Sequence, residues 1–318
     1  MLNYASDIDD LIVRVGEPHM RQRLELQVEH ASEIFGTGMV LFHIENVEWL
    51  MAAIYYVLRA TFLYGAGYRN FLDLRVRRNT IELDGLPEAF RGFRILHLSD
   101  LHADLDPALT DALIERLKGL DYDVCVLTGD YRASTSGSYD KTVDAMERLS
   151  AHIKSPKYAI LGNHDFIEMA PPLERAGYRF LLNETVKIER GGEAIHLSGV
   201  DDPHFYMTEN LHKACEGVPS NSITILLSHS PEIFRKAAAM GYDLMLCGHT
   251  HGGQFCLPGG VPVITNGRCP RFMVRGNWKH RQMKGYTSPG TGSCGVPARF
   301  FCPPEVALHE LVPCKSIK

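Results

Sequence analysis

The segment RILHLSDLH, residues 94–102, is an apolar run that closes on Asp100 and His102. A run of this kind, bounded by polar residues, predicts a buried strand. Side chains two apart on a strand share a face. Asp100 and His102 can therefore turn toward one metal ion from the strand's carboxyl end, where open α/β sheets place their chemistry. Four later segments repeat the arrangement. Residues 124–127 lead to Thr128-Gly129-Asp130, and 158–161 to Gly162-Asn163-His164-Asp165. Residues 223–227 lead to Ser228-His229-Ser230-Pro231, and 244–247 to Gly248-His249-Thr250-His251-Gly252-Gly253-Gln254. His97 is an odd number of positions from Asp100 and reads as a core residue facing the opposite side.

Between these runs the pattern switches period. Helices are expected over 109–117, 140–149, 173–176 and 209–214, and from Pro231 to Ala239. Strands over 185–188 and 194–199 flank the Gly191-Gly192 turn. Strands alternating with helices argue an α/β fold. Residues 71–83 read as an edge strand carrying the basic patch Arg75, Arg77 and Arg78, with Asp84-Gly85 as its turn. The tail beyond Pro258 is rich in Gly and Pro, with short strands expected over 261–264 and 306–311. A division falls near residue 70: residues 1–70 form a helical N-terminal extension and residues 71–318 the catalytic domain.

Within the extension, Pro18 precedes a helix over 20–35 with apolar positions Leu24, Val28, Ala31 and Phe35, closed by Gly36 and Gly38. The stretch from Val40 to Tyr64 is more apolar. Its uncharged run, residues 49–58, falls short of a membrane span. It suits a helix packed on the body or across a dimer. It also suits one lying in the membrane interface, with Trp49, Tyr55, Tyr56 and Tyr64 as anchors.

Of 318 residues, 45% are hydrophobic and 22% charged, an ordinary globular composition. A net charge of -5 gives no electrostatic case for a nucleic-acid partner. The N-terminus lacks the basic start and apolar core of a secretory signal. The eight cysteines show no Cys-x-x-Cys pair and are expected as free thiols, with Cys125 and Cys247 in the core. A cytoplasmic location, or a peripheral one on the inner membrane, is the expectation.

The candidate metal ligands are Asp100, His102, Asp130, Asn163, His229, His249 and His251, each at or just beyond the end of an apolar run. Mixed carboxylate and imidazole donors suit manganese, iron, zinc or cobalt better than calcium. Two ions need a bridging oxygen ligand, and Asp130 is the candidate. His249 and His251 offer one ligand to each ion or two to a single ion. Tyr131, Arg132, Asp202 and His204 are candidate substrate contacts, although Asp201-Asp202-Pro203-His204 equally reads as a turn. Asp104 and Asp106 read as capping or loop groups. Gln254 is expected to shape the metal loop, and Arg299 to tie the tail down near Glu305.

In order and content, the Asp-x-His, Gly-Asp, Gly-Asn-His-Asp, Ser-His and Gly-His-Thr-His-Gly-Gly segments resemble the calcineurin-like metallophosphoesterase superfamily over residues 91–312. The resemblance is nearest a bacterial branch with Gly-His-Thr-His-Gly-Gly-Gln and a tail matched here by Pro297, Arg299, Pro303, Pro304 and Glu305. That branch includes membrane-associated phosphohydrolases and a UDP-2,3-diacylglucosamine pyrophosphatase. The resemblance implies a four-layer α/β/β/α sandwich and two divalent ions, manganese first. Asp100, His102, Asp130 and His251 would hold one ion. Asp130, Asn163, His229 and His249 would hold the other. It further implies that ions about 3.5–4 Å apart activate a bridging hydroxide. His164 would face the phosphoryl group, and Asp165 would orient it. The implied function is hydrolysis of a phosphoester or pyrophosphate on a phosphorylated small molecule or lipid-linked substrate. A soluble phosphodiesterase or nuclease, and a non-catalytic metal-bound scaffold, are the alternatives.

Overall fold

The computed structural model describes residues 4–30, 48–154 and 156–314. Two six-stranded sheets lie face to face. The first runs β1 (Arg75–Leu83), β14 (Glu305–Pro313), β2 (Phe93–Leu98), β3 (Val124–Thr128), β4 (Lys157–Ile160) and β5 (Tyr178–Phe180). The second runs β12 (Gly276–His280), β13 (Met283–Thr287), β9 (Leu244–Cys247), β8 (Thr224–Leu227), β7 (Glu193–Gly199) and β6 (Glu184–Arg190). A short ribbon pairs β10 (Cys256–Leu257) with β11 (Val261–Pro262). The helices are α1 (Tyr4–Val15), α2 (Glu17–His30), α3 (Glu48–Ala60), α4 (Tyr64–Leu72), α5 (Pro107–Leu117), α6 (Asp140–Ser150), α7 (Ala170–Arg175), α8 (Leu211–Ala214) and α9 (Phe234–Ala239).

The strand period of two sorts each sheet's residues between layers. Ile95, Val124 and Val126 point inward and meet Leu197, Ile225 and Leu246 of the second sheet. Leu96, Leu98, Cys125 and Leu127 point outward and pack with Leu109 and Leu113 of α5 and Met146 of α6. On the far side Leu226 and Met245 pack with Phe234 and Ala237 of α9. The result is the expected α/β/β/α sandwich. Asp106 caps α5 by accepting from Ala108 N at 2.9 Å. Strands β2 to β5 and β7 to β9 run parallel. Their carboxyl ends therefore gather along one rim, and the loops leaving that rim carry the candidate ligands.

The structure revises several local expectations. The hairpin β12–β13 and the strand β5 fall in stretches that the sequence pattern left unassigned, and residues 263–264 lie outside β11. The face of α2 that docks is Met20, Arg23 and Gln27; of the expected apolar stripe Leu24 packs partly buried against the core, while Val28 is 74% exposed. What α2 meets is a polar loop, so polar side chains do the docking. Ala31, Phe35 and residues 40–47 of the apolar stretch lie outside the described residues. Helix α3 carries the rest of that stretch and packs Leu58 on Val296 and Ala298.

Candidate metal centre

Asp100 and His102 follow β2, Asp130 follows β3 and Asn163 follows β4. His229 follows β8, and His249 and His251 follow β9. Strand β2 ends at Leu98, so strand alternation does not aim Asp100 and His102. Left-handed turns do. Asp100, His102, Asp130, His249 and His251 have φ of 52°, 43°, 56°, 71° and 49°. Each such residue costs roughly 1–3 kcal/mol, and strain of this kind concentrates at functional sites. The loops are stitched together: Asp100 N donates to Gly129 O and His102 N to Asp130 O, both at 3.0 Å.

Donor atoms of Asp100, His102, Asp130 and His251 lie within 4.8 Å of one another, and so do those of Asp130, His229 and His249. Asp130 belongs to both groups. Asn163 Oδ1 joins the second, 3.0 Å from His229 Nε2. Cys294, which sequence reasoning missed, groups with His102 and His251. Two of the imidazoles are prepared as Nε2 ligands. His102 Nδ1 lies 2.7 Å from Arg132 O, and His229 Nδ1 lies 2.7 Å from Thr128 O. A carbonyl only accepts, so each Nδ1 carries the proton and each Nε2 can offer a lone pair.

Burial pushes the His102 pKa down to about 3, and those of His249 and His251 well below the usual value. Neutral imidazole is the ligand form. Burial also opposes charge on His229, but the Asp130 carboxylate outweighs it and raises His229 to about 10. A proton on His229 then answers the demand for positive charge that a cation would meet. His249 Nε2 is buried without a hydrogen-bond partner. Convergent carboxylate, amide and imidazole donors fit a pair of divalent ions.

His164 Nδ1 lies 2.9 Å from Ala133 O, which leaves Nε2 facing Asp130 Oδ2 at 3.9 Å. The Ala133 carbonyl, not Asp165, therefore orients this ring. The Asp165 carboxylate instead gathers the backbone N–H groups of Asp130, Tyr131 and Gly162, each at 2.8 Å. It fastens the Asp130 loop to the Asn163 loop.

The expected substrate contacts have partners within the protein. Tyr131 is buried, its hydroxyl donating to Ile160 O at 2.7 Å. Arg132 is buried over the Phe166 ring at 4.2 Å and donates to Gly137 O. Asp202 makes a turn, accepting from His204, Phe205 and Tyr206 N. The His204 ring lies against that of His249, with centres 3.9 Å apart and planes tilted by 47°, and its Nδ1 lies 3.0 Å from Glu232. Arg299 is buried and donates to Gly292 O and Pro289 O, with Nη2 3.3 Å from His251 Nδ1. Its Nη1 also donates to Cys302 O and His251 O, both at 3.3 Å, so it ties the tail just ahead of Glu305 to the metal loop.

Above the centre opens a cavity of about 250 Å³. Asp130, His164, His249 and His251 form one side. Met51 and Ile54 of α3, with Phe255, Ile264 and Val296, form an apolar side. Gln254 lines it as well and fixes its shape by donating to Cys294 O and accepting from Cys294 N.

A sandwich with acid and imidazole ligands on its carboxyl rim defines a class, and the family comparison agrees: this chain belongs to the calcineurin-like phosphoesterase family, whose model matches residues 93–253. It is a metal-dependent hydrolase. Among individual proteins it is similar to the uncharacterized metallophosphoesterase YkoQ of Bacillus subtilis (strain 168). Identity is 32% over 265 residues, 79% of this chain and 94% of that protein. An uncharacterized metallophosphoesterase of Aquifex aeolicus (strain VF5) is 30% identical over 74% of this chain and 90% of its own length. The phosphodiesterase YaeI of Escherichia coli (strain K12) is 29% identical over 69% of this chain and 82% of its own.

Proposed function

We propose that this protein hydrolyses a phosphodiester or pyrophosphate whose substrate carries an apolar group, with a lipid-linked nucleotide such as UDP-2,3-diacylglucosamine as the leading candidate. The cavity carries this reading: one wall is the metal centre and the other is the apolar side chains of α3 and the 255–296 loops. A similar protein named as a phosphodiesterase supports the diester class.

In the assignment we favour, Asp100, His102, Asp130 and His251 hold one ion, and Asp130, Asn163, His229 and His249 the other, with manganese first. Such ions supply Lewis acidity toward phosphoryl oxygens and make bound water more acidic. His164, its Nδ1–H set by the Ala133 carbonyl, presents Nε2 to the phosphoryl group; as the doubly protonated imidazolium it passes the Nε2 proton to the departing oxygen and is left neutral. Asp165 keeps the Asp130 and Asn163 loops in register. Met51 and Ile54 receive the apolar group. The helix that bears them also exposes Trp49 and Tyr56, 72% and 69% accessible, which suits peripheral contact with a lipid surface. Among the described residues no single helix is long and apolar enough to cross a membrane; α3 and α4 together are bent by 109°.

The test is turnover by manganese-loaded protein of an acylated nucleotide diphospho-sugar, its deacylated counterpart, a soluble phosphodiester and single-stranded DNA. We expect a lower KM for the acylated substrate, and Ile54→Asp should erase that difference. Equal KM for the acylated and deacylated forms, or turnover of DNA alone, overturns the proposal.

A further inference from the structure

The apolar layer between the two sheets is crossed by one line of polar side chains. Asn79 of β1, His309 of β14, His97 of β2 and Thr128 of β3 occupy four neighbouring strands. Each sits on the inward parity of its strand, like Ile81, Leu311, Ile95 and Val126 beside them. His97, His309 and Thr128 are fully buried. The line continues through Ser99 to Asp100, and at its other end Asn277 of β12 borders a surface crevice of about 270 Å³.

The chemistry of the end groups fixes the direction of every hydrogen bond. Ser99 Oγ donates to Asp100 Oδ2 at 2.6 Å, and Thr128 Oγ1 donates to Ser99 Oγ at 2.7 Å. Each hydroxyl has a single proton, now committed. Thr128 Oγ1 must therefore accept from His97 Nε2, 2.9 Å away. His97 Nδ1 is then a lone pair and accepts from His309 Nε2 at 3.3 Å. His309 Nδ1 in turn accepts from Asn79 Nδ2 at 3.1 Å. Asn79 and Asn277 close the line by exchanging amide hydrogen bonds at 2.8 and 2.7 Å. From Asn79 through His309, His97, Thr128 and Ser99, each hydrogen bond between neighbours points toward Asp100; only the Asn79–Asn277 exchange runs both ways.

We infer that this line is a positioning device for the metal centre: it delivers a fixed side-chain donor to Asp100 Oδ2, holds that carboxylate as an acceptor beside the His249 N–H shared between both oxygens, and keeps Oδ1 on the His251 side. The role rests on the assignment of Asp100 as a ligand. The geometry agrees, since Asp100 Oδ1 lies 3.5 Å from His251 Nε2. Burial keeps both rings uncharged, with His97 pushed down to about 3 and His309 well below the usual value. A buried network is worth most when every member is satisfied, and reversal of one donor would leave two groups unpaired. Such outer partners of a ligand typically carry a 10–100-fold effect on metal affinity.

Two measurements test this. Nitrogen-15 spectra of the histidines in the full chain should show both His97 and His309 as neutral Nε2–H tautomers from about pH 5 to pH 8. An Nδ1–H tautomer, or titration of either ring in that window, overturns the direction of the line. Manganese titration followed by electron paramagnetic resonance should show Thr128→Val weakening one of two sites roughly 10–100-fold, with Thr128→Ser restoring it. Unchanged affinity in a folded Thr128→Val protein overturns the positioning role. If the unsubstituted chain binds no manganese, the two-ion reading and the positioning role both fall, while the tautomers still decide the line.

Discussion

Asp130 is the residue on which both halves of the centre converge. Asp130→Ala should remove both ions and all turnover together, read by elemental analysis beside an activity assay. His164 contributes differently. His164→Ala should keep both ions and lower kcat by about 10²–10⁴-fold, the usual range for a lost general acid. Turnover equal to the unsubstituted protein would remove His164 from the reaction. Gly248 shows how tightly the ligands are packed: a β-carbon there would overlap the Ser99 hydroxyl and the Asp100 carboxylate. Gly248→Ala should cost about 2 kcal/mol by overpacking, measured by urea unfolding. The candidate donors were legible because each Asp, Asn or His stands just past an apolar run. The aim of each side chain was not, because left-handed turns made by loop-to-loop hydrogen bonds have no local signature. The ring of His164 is set by a carbonyl at Ala133, and a backbone atom leaves no mark on residue type.

At the level of elements, α2 is tied to the centre from behind. Arg23, fully buried, donates to Asp165 O at 2.8 Å, lies 3.6 Å from Asp201 and stacks at 3.4 Å on the Tyr206 ring. Gln27 accepts from Ile167 N at 2.8 Å. Arg23→Met keeps the bulk but leaves Asp201 without its buried cation, and should cost about 3 kcal/mol in chemical denaturation. Asp201→Asn in the same chain should recover part of that loss. An arginine on a helix reads as solvated in sequence, so only the packing of α2 on the 162–168 loop exposed this role. Helix α3 was legible as an apolar element needing a partner. Its placement over the metal rim was not, because hydrophobicity states that a surface will be covered and not by what.

Across the whole molecule, the N-terminal helices and the sandwich share buried charge, and this sets an acid limit. Burial disfavours the Asp201 carboxylate, but Arg23 and His19 outweigh it and hold its pKa well below the usual range. A pKa lower in the folded than in the unfolded chain gives stability that is complete above about pH 4 and fades as pH falls further. Unfolding free energy followed below about pH 4 should therefore drop more steeply in the unsubstituted protein than in Asp201→Asn, which starts lower at neutral pH. Equal slopes would detach Asp201 from the acid transition.

The sequence by itself determined the alternation of strand and helix, the two-sided burial of the central strands and the seven donors at their ends. These follow from periodicity and from residue chemistry, both local properties of the chain. Tertiary structure alone decided which donors share a point, that Asp165 clamps backbone rather than His164, and that His97 joins a line reaching Asp100 through Thr128 and Ser99. Those outcomes depend on contacts between segments up to 230 positions apart, as in the Asn79–His309 pair. Periodicity fixes which way a side chain points along its own strand; it carries no information about which side chain arrives from the next one.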